Sequence, residues 1–161
     1  MPSPLTRLVL TVTLAANRRG LYLGRRSTRV HVAVYRWTGG RVGTRMTGLP
    51  DARILLLDQI GAKSGVGRTS PLIFLRDNGT PVIAASKAGQ PELPAWFHNL
   101  RAHPKTTIQI GPERFRVRAR VATEPERDRL WPSFVAIFPA LESYQRTVGE
   151  RGIPLVILEP R

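Results

Sequence analysis

The dipeptide Asn78-Gly79 stands between two apolar runs, residues 70–75 and 81–86. The tightest hairpin turn needs positive φ at both central residues, which asparagine tolerates and glycine adopts freely. The two runs are therefore expected as neighbouring antiparallel strands, and the chain must contain a sheet. A second pair of strands, residues 106–110 and 114–123, alternates around Gly111-Pro112-Glu113. Residues 54–60 read as a buried strand and residues 154–158 as a last one. Residues 94–102, with Trp96, Phe97 and Leu100 and a proline just beyond, read as a short helix. Glu124-Pro125-Glu126 opens another, with its acids at the positive end, and residues 141–148 a third. The expectation is an α+β domain: a small barrel with short helices packed outside it.

Composition narrows the chemistry. A chain of 161 residues, 42% hydrophobic, is expected to be one globular domain. It has no cysteine, which removes disulfides, zinc–cysteine sites, iron–sulfur clusters and cysteine nucleophiles. His31, His98 and His103 lack the spacing of a metal site, so no metal is expected. The formal charge of +14 calls for an anionic partner. Residues 1–50 carry nine arginines and no acid, and Arg114, Arg116, Arg118 and Arg120 alternate with apolar residues. Only three of the basic residues are lysine, and Lys63 and Lys87 both fall in the motifs below.

The N-terminal run, residues 5–16, is too short to span a bilayer. A cleaved signal is disfavoured by Asn17-Arg18-Arg19, which follows directly. Two readings stay open for residues 1–29: a basic helical extension on an anionic membrane face, or a helix packed on the domain with solvated arginines. Residues 30–37 fit a strand or the end of a helix, and the glycine-rich residues 38–50 read as a connecting loop.

The sequence Gly61-Ala62-Lys63-Ser64-Gly65-Val66-Gly67-Arg68-Thr69-Ser70-Pro71-Leu72 joins two strands. Its glycines let backbone approach a ligand, and its amides could form an anion nest. Lys63 adds a point charge, Arg68 a fork of donors and Ser64 a hydroxyl. It is neither a Walker loop nor a dinucleotide fingerprint, since a strand follows rather than a helix. Taken alone, such a loop is more often an ordinary solvated turn. Ala84-Ala85-Ser86-Lys87-Ala88-Gly89 offers small residues for a flat ring, a hydroxyl and a cation. In Pro94-Ala95-Trp96-Phe97-His98-Asn99-Leu100, Trp96 suits stacking on a conjugated ring, while Phe97 reads as core.

Taken in order, these motifs resemble the deazaflavin-dependent nitroreductases and F420H2-dependent quinone reductases. The pattern is G-x-K-S-G-x-x-R-x-x-P-L, then A-S-K-x-G, then P-x-W-[FY]-x-N-L, closing with I-P-x-V-x-L-E-P. Tyr35-Arg36-Trp37-Thr38-Gly39-Gly40 resembles the family's lead-in, and the likeness spans roughly residues 30–160. It favours a helix for residues 30–37 and implies a split β-barrel, like those that bind FMN and the pyridoxamine-phosphate oxidases, often paired as homodimers. Lys63, Ser64 and Arg68, with Gly61 and Gly65, would hold the phosphate and oligoglutamate tail of coenzyme F420. Thr69, Ser70, Pro71, Leu72, Ala84, Ala85, Ser86 and Lys87 would line the deazaflavin ring, with Trp96 close to it. The cofactor carries the redox chemistry. Ser86 and Tyr144 are the candidate catalytic hydroxyls, acting on a quinone-like or nitroaromatic acceptor. The implied place is the cytoplasm, with peripheral contact on the inner face of the membrane.

The chain departs from that family at telling positions. Ala62 stands where a cation is common, and Asp58 adds a negative charge nearby. Ile73, Phe138 and Leu141 occupy positions that hold tyrosines in relatives, leaving only Tyr144. Rival readings are a coenzyme carrier with little turnover, an FMN- or haem-binding barrel, and, from the arginines of residues 114–120, a nucleic-acid module. The last lacks an aromatic ladder for stacking bases.

Overall fold

A computed structural model describes residues 25–46 and 48–161. The expected N-terminal helix, residues 5–16, and most of the basic stretch after it lie outside the described residues. The elements are α1 (Arg25–Trp37), β1 (Arg45–Met46), β2 (Leu49–Ile60), β3 (Gly67–Asp77), β4 (Thr80–Ala84), α2 (Ala95–Ala102), β5 (Lys105–Ile110), β6 (Glu113–Val121), α3 (Glu124–Ile137), α4 (Ala140–Val148) and β7 (Leu155–Pro160). Single 3-10 turns occupy Lys87–Gly89 and Gly149–Arg151. The strand order is β1-β2-β3-β4-β7-β6-β5, and β5 returns to pair with β2. Six antiparallel strands thus close a barrel, with β1 appended outside the ring. The closure is narrow: only Leu56↔Gln109 and Leu57↔Ile108 pair, helped by the Thr106 hydroxyl donating to the Asp58 carbonyl. This is an α+β split barrel.

The turn at Asn78-Gly79 takes φ of 48° and 87°, with Asp77 paired to Thr80 across it. Residues 30–37 belong to α1, which begins at Arg25. His31 and Tyr35, one turn apart, share a face of it, and Tyr35 is fully buried. The Tyr35 hydroxyl donates to the Ile54 carbonyl at 3.0 Å and accepts from the Gly111 amide at 2.9 Å. Alternation along residues 30–37 therefore reports no strand. Residues 38–50 are not wholly loop: β1 and the start of β2 lie there, paired through Arg45↔Arg53. Their polar sequence gave no strand period to read.

The pleat divides the apolar residues between two cores. Leu55, Leu57, Phe74, Ile83, Val117, Val156 and Leu158 meet Trp96, Phe97 and Leu100 of α2 in one. Val82, Leu155 and Ile157 meet Leu130, Phe134 and Leu141 of α3 and α4 in the other. Strands β4 and β7 are therefore buried on both faces, which is why they read as continuous apolar runs. Strand β6 is covered on one face only and alternates, so its four arginines share the outer side. Two of them meet carboxylates: Arg114 bonds Asp58, and Arg120 bonds Glu126 and Glu159. The basic face a nucleic acid would track is partly neutralised.

Helix α3 starts with a capping box in which the Thr123 amide donates to Glu126 at 2.8 Å. Arg120 donates two further bonds to Glu126, at 2.7 and 2.8 Å. Arg120 first, then the Thr123 amide, hold the Glu126 carboxyl down at about 2, against an ordinary 4.5. A carboxyl lowered in the folded state stabilises it above the unfolded pKa, and that contribution fades as pH falls through the folded value. Glu126→Gln is expected to melt below the parent from neutral pH down to about 4.5, the ordinary carboxyl value. The gap should close as pH falls towards 2. Thermal melts across that range check it, and a gap undiminished at the acid end would take the stabilisation out of the ion pair.

Candidate functional site

The glycine loop joins β2 to β3, whose last ladder pair is Ile60↔Gly67. The Gly61 amide donates to the Val66 carbonyl at 2.9 Å, and the Gly65 amide to the Gly61 carbonyl at 2.8 Å. Gly65 sits at φ 65°, where a side chain would be strained. The Val66 amide donates to Ser64 Oγ at 3.3 Å, so Ser64 partly serves the turn itself. With Ala62 also satisfied, the Lys63 and Ser64 amides at the exposed tip are left without a protein partner among the described residues.

What fixes the loop is a buried relay. The Ala62 amide donates to Asn99 Oδ1 at 2.9 Å, Asn99 Nδ2 to Gln59 Oε1 at 2.7 Å, and Gln59 Nε2 to Ser70 Oγ at 2.6 Å. Asn99 and Gln59 are 7% and 6% exposed. A buried polar chain with each amide paired is rigid, because any rearrangement strands a donor or acceptor away from water. It ties α2, both strands and the loop into one body.

Lys63 and Arg68 are exposed, and neither has a carboxylate partner among the described residues. Asp58, the acid the sequence sets beside them, is taken up by Arg36 at 2.6 Å, Arg114 at 2.7 Å and the Thr69 hydroxyl at 2.6 Å. Its charge is matched on the spot, so the loop keeps its positive character.

The strand period sorts the remaining candidates. Leu72 packs on the inner core while Ile73 packs on the outer one. Ser70 shares the inner face with Leu72, leaving Thr69 and Pro71 on the outer face with Ile73. Likewise Ala85 is fully buried inside, and Ala84 packs on the outer cluster. Trp96 is 7% exposed and lies in the inner core beside Phe97, so its ring face is packed by protein.

Beyond Ala84 the backbone turns sharply. Lys87, Ala88 and Gly89 all adopt positive φ, of 47°, 52° and 75°. Two non-glycine residues there cost roughly 1–2 kcal/mol each, and such strain persists only when its surroundings impose it. Arg151 supplies part of that: it donates to the Gln90 carbonyl at 2.9 Å and the Ser86 carbonyl at 3.4 Å. Lys87 pairs with Glu92 at 3.0 Å, and a Cβ on Gly89 would lie 3.2 Å from the Tyr144 ring. Tyr144 packs edge-on against Phe138 at 5.9 Å, within the cluster that holds Ile73, Ala84 and Leu141. The structure thus brings the Ser86 turn and Tyr144 to one corner, with Ile73, Phe138 and Leu141 around them. Arg151 Nε and Nη1 are buried there without a partner among the described residues.

From Arg68 to Ile73 is five residues of extended strand, roughly 17 Å. An elongated ligand with an anionic end at the loop and a flat body near Ser86 would span that length. The unpaired Lys63 and Arg68 and the orphaned nitrogens of Arg151 fit a ligand rich in acceptors. Sequence reasoning assigned no role to Asn99, Gln59 or Arg151. Asn99 and Gln59 stand forty residues apart, and nothing local marks two amides as partners.

Asn99→Ala would leave Gln59 Oε1 unpaired in the interior and release the Ala62 amide from its tether to α2. It is expected to cost about 1–3 kcal/mol of folding stability, from the one buried group it orphans. It should also raise the mobility of the loop. Denaturant unfolding and amide exchange at residues 61–66 check both, and unchanged exchange there would show that the relay does not fix the loop.

The model of the F420H(2)-dependent quinone reductase family matches residues 27–160. An F420H(2)-dependent quinone reductase of Mycobacterium tuberculosis is 38% identical over 142 residues, 87% of this chain and 94% of that protein. A solved F420-H2 dependent reductase superposes with a TM-score of 0.61 at 36% identity, covering 66% of this chain and 93% of the other. A solved domain-swapped dimer gives a TM-score of 0.63 at 31% identity, covering 81% and 95%. The match runs through the glycine loop, the tethering helix and the Ser86 turn alike, and the chain belongs to the F420H(2)-dependent quinone reductase family.

Proposed function

We propose that this protein uses reduced coenzyme F420 to reduce a quinone-like acceptor. The observation that carries the reading is the cationic loop, held rigid by Asn99 and Gln59 and set about one strand segment from Ser86 and Tyr144. Lys63 and Arg68, with the amides of Lys63 and Ser64, hold the phosphate and carboxylates of the coenzyme tail. Pro71 and Ala84 leave a flat surface on the outer face for the ring, and the left-handed turn after Ala84 presents Ser86 beside it. When bound, the reduced deazaflavin supplies the hydride. The Ser86 and Tyr144 hydroxyls donate hydrogen bonds to the acceptor oxygen, where negative charge develops. Lys87 is already engaged by Glu92, so its part is to fix the turn.

Ile73 and Phe138, with the buried Leu141 behind them, give the acceptor side an apolar wall with one phenol, Tyr144. That favours a lipophilic quinone over a nitroaromatic. A cytoplasmic enzyme touching the inner membrane face through residues 1–29 would meet a quinone dissolved there. The same apolar wall supports a second reading, a coenzyme carrier with little turnover.

Tryptophan fluorescence during titration with oxidised coenzyme F420, with FMN in parallel, tests the cofactor. The expected result is saturable quenching by the deazaflavin alone, weakened roughly tenfold or more in Lys63→Ala and in Arg68→Ala, as loss of a charge-assisted bond implies. Oxidation of the reduced coenzyme should be fast with menaquinone and slow with a bicyclic nitroimidazole. Tight binding without quinone turnover leaves the carrier, and binding of FMN alone defeats the proposal.

A further inference from the structure

We propose a second anion site, for a phosphate group, at the mouth of the barrel opposite the glycine loop. A cavity of about 640 Å³ opens there, rimmed by Arg41, Arg45, Arg53 and Arg76 and backed by Ile110 and Phe115. Arg76 and Arg68 are eight residues apart on β3, roughly 25 Å, so a single phosphate cannot serve both ends. The site stands independently of the coenzyme reading.

The charge arrangement is costly as it stands. Arg45 lies directly opposite Arg53 in the β1–β2 register. Like charges at such positions destabilise a sheet. Arg41, Arg45 and Arg53 have no carboxylate partner among the described residues. Among the described residues Arg76 donates to the Gly79 carbonyl and lies over the Phe74 ring at 5.6 Å, with no carboxylate partner. Among the described residues, Glu113 is the one acidic residue of the lining. Asp77, next to Arg76 in the chain, is drawn away by Arg129, which holds it with bonds of 2.9 and 2.7 Å. Elsewhere on the sheet, Arg114 and Arg120 do find carboxylates. This end keeps its arginines unmatched.

The cradle is also preformed. The loop that carries Arg41 and Arg45 is drawn onto the barrel at two glycines. A Cβ at Gly40 would lie 2.5 Å from Gly111, and one at Gly43 would lie 2.9 Å from His31 Nε2. Thr44 donates back to the Gly40 carbonyl, and Tyr35 bonds the Gly111 amide beneath. Guanidinium forks on a fixed frame suit the oxygens of a phosphate better than a single carboxylate. The apolar backing admits the substituent of a phosphate ester, whether a soluble metabolite or a phospholipid headgroup.

The test uses full-length Lys63→Ala/Arg68→Ala protein, so that the glycine loop does not answer for the second site. The probes are sodium pyrophosphate, and vesicles of phosphatidylglycerol against phosphatidylcholine, at matched ionic strength. The expected result is a rise in Tm of about 2–4 °C in millimolar pyrophosphate, or sedimentation with the anionic vesicles alone. Adding Arg45→Ala and Arg53→Ala should abolish the pyrophosphate response and weaken vesicle binding several-fold, whatever residues 1–29 contribute to it. A pyrophosphate response assigns a soluble ester, and a vesicle response without it assigns a lipid headgroup. Without any probe, the added substitutions should leave the melt at or above the parent, because the facing charges are gone. No response to either probe, a response undiminished by the added substitutions, or a melt several degrees lower without ligand would each overturn the proposal.

Discussion

Asn99 is where the fold and the site become one object. Its amide oxygen holds the Ala62 amide of the glycine loop, and its amide nitrogen holds Gln59 inside the barrel. A glycine-rich loop bearing two unpaired cations has no reason to hold a single shape: glycine widens its options, and like charges push it apart. Three internal bonds shape the turn, but only the relay through Asn99 fixes it against the rest of the molecule. Helix α2 can offer that asparagine because Trp96, Phe97 and Leu100 anchor the same helix in the inner core. Trp96 contributes by packing the helix that carries Asn99, which is a different use of the indole from the stacking platform its motif suggests.

The second constraint is the double burial of β4 and β7. A barrel strand covered on its inner side alone would alternate, and these do not, because α3 and α4 seal their outer face. That outer layer makes the corner in which Ser86, Tyr144 and the three apolar replacements meet. The strained turn at Lys87 and Ala88 follows from the same packing. Gly89 must lie against Tyr144 on one side while Arg151 pulls the Ser86 and Gln90 carbonyls from the other. Strain held by a helix that also lines the groove couples the position of Ser86 to that of α4.

Much of this was legible from residue order. Asn78-Gly79 marked the first hairpin, Gly111-Pro112 the second, and the proline and acids of Glu124-Pro125-Glu126 the start of α3, because each is a local signal with a local cause. The chain of motifs from Gly61 to Pro160 carried the family. What stayed hidden was non-local. The period of residues 30–37 fits two structures equally, and only the bonds of Tyr35 to Ile54 and Gly111 decide for helix. The strand at Arg45–Met46 exists because β2 offers it an edge, against the charge of its own side chains. The pairing of Asn99 with Gln59 crosses forty residues and has no pattern at all. Asp58 looked like a threat to an anion site, and becomes neutral to it only once α1 and β6 bring Arg36 and Arg114 alongside.

Charge balance, read position by position, separates structural arginines from those kept for a partner. Among the described residues, a net charge as high as this chain's leaves too few acids to go round, so their placement is informative. Those that pair within 3.0 Å hold Arg36, Arg114, Arg120 and Arg129, at junctions where a helix or a neighbouring strand meets the barrel, and Lys87 at the Ser86 turn. They are withheld from Lys63 and Arg68 at one mouth and from Arg41, Arg45 and Arg53 at the other. Solubility alone would be served by any distribution of the same charge. A pairing pattern that secures the frame and leaves both open ends of the barrel cationic is what a protein with an anion to hold at each end would need.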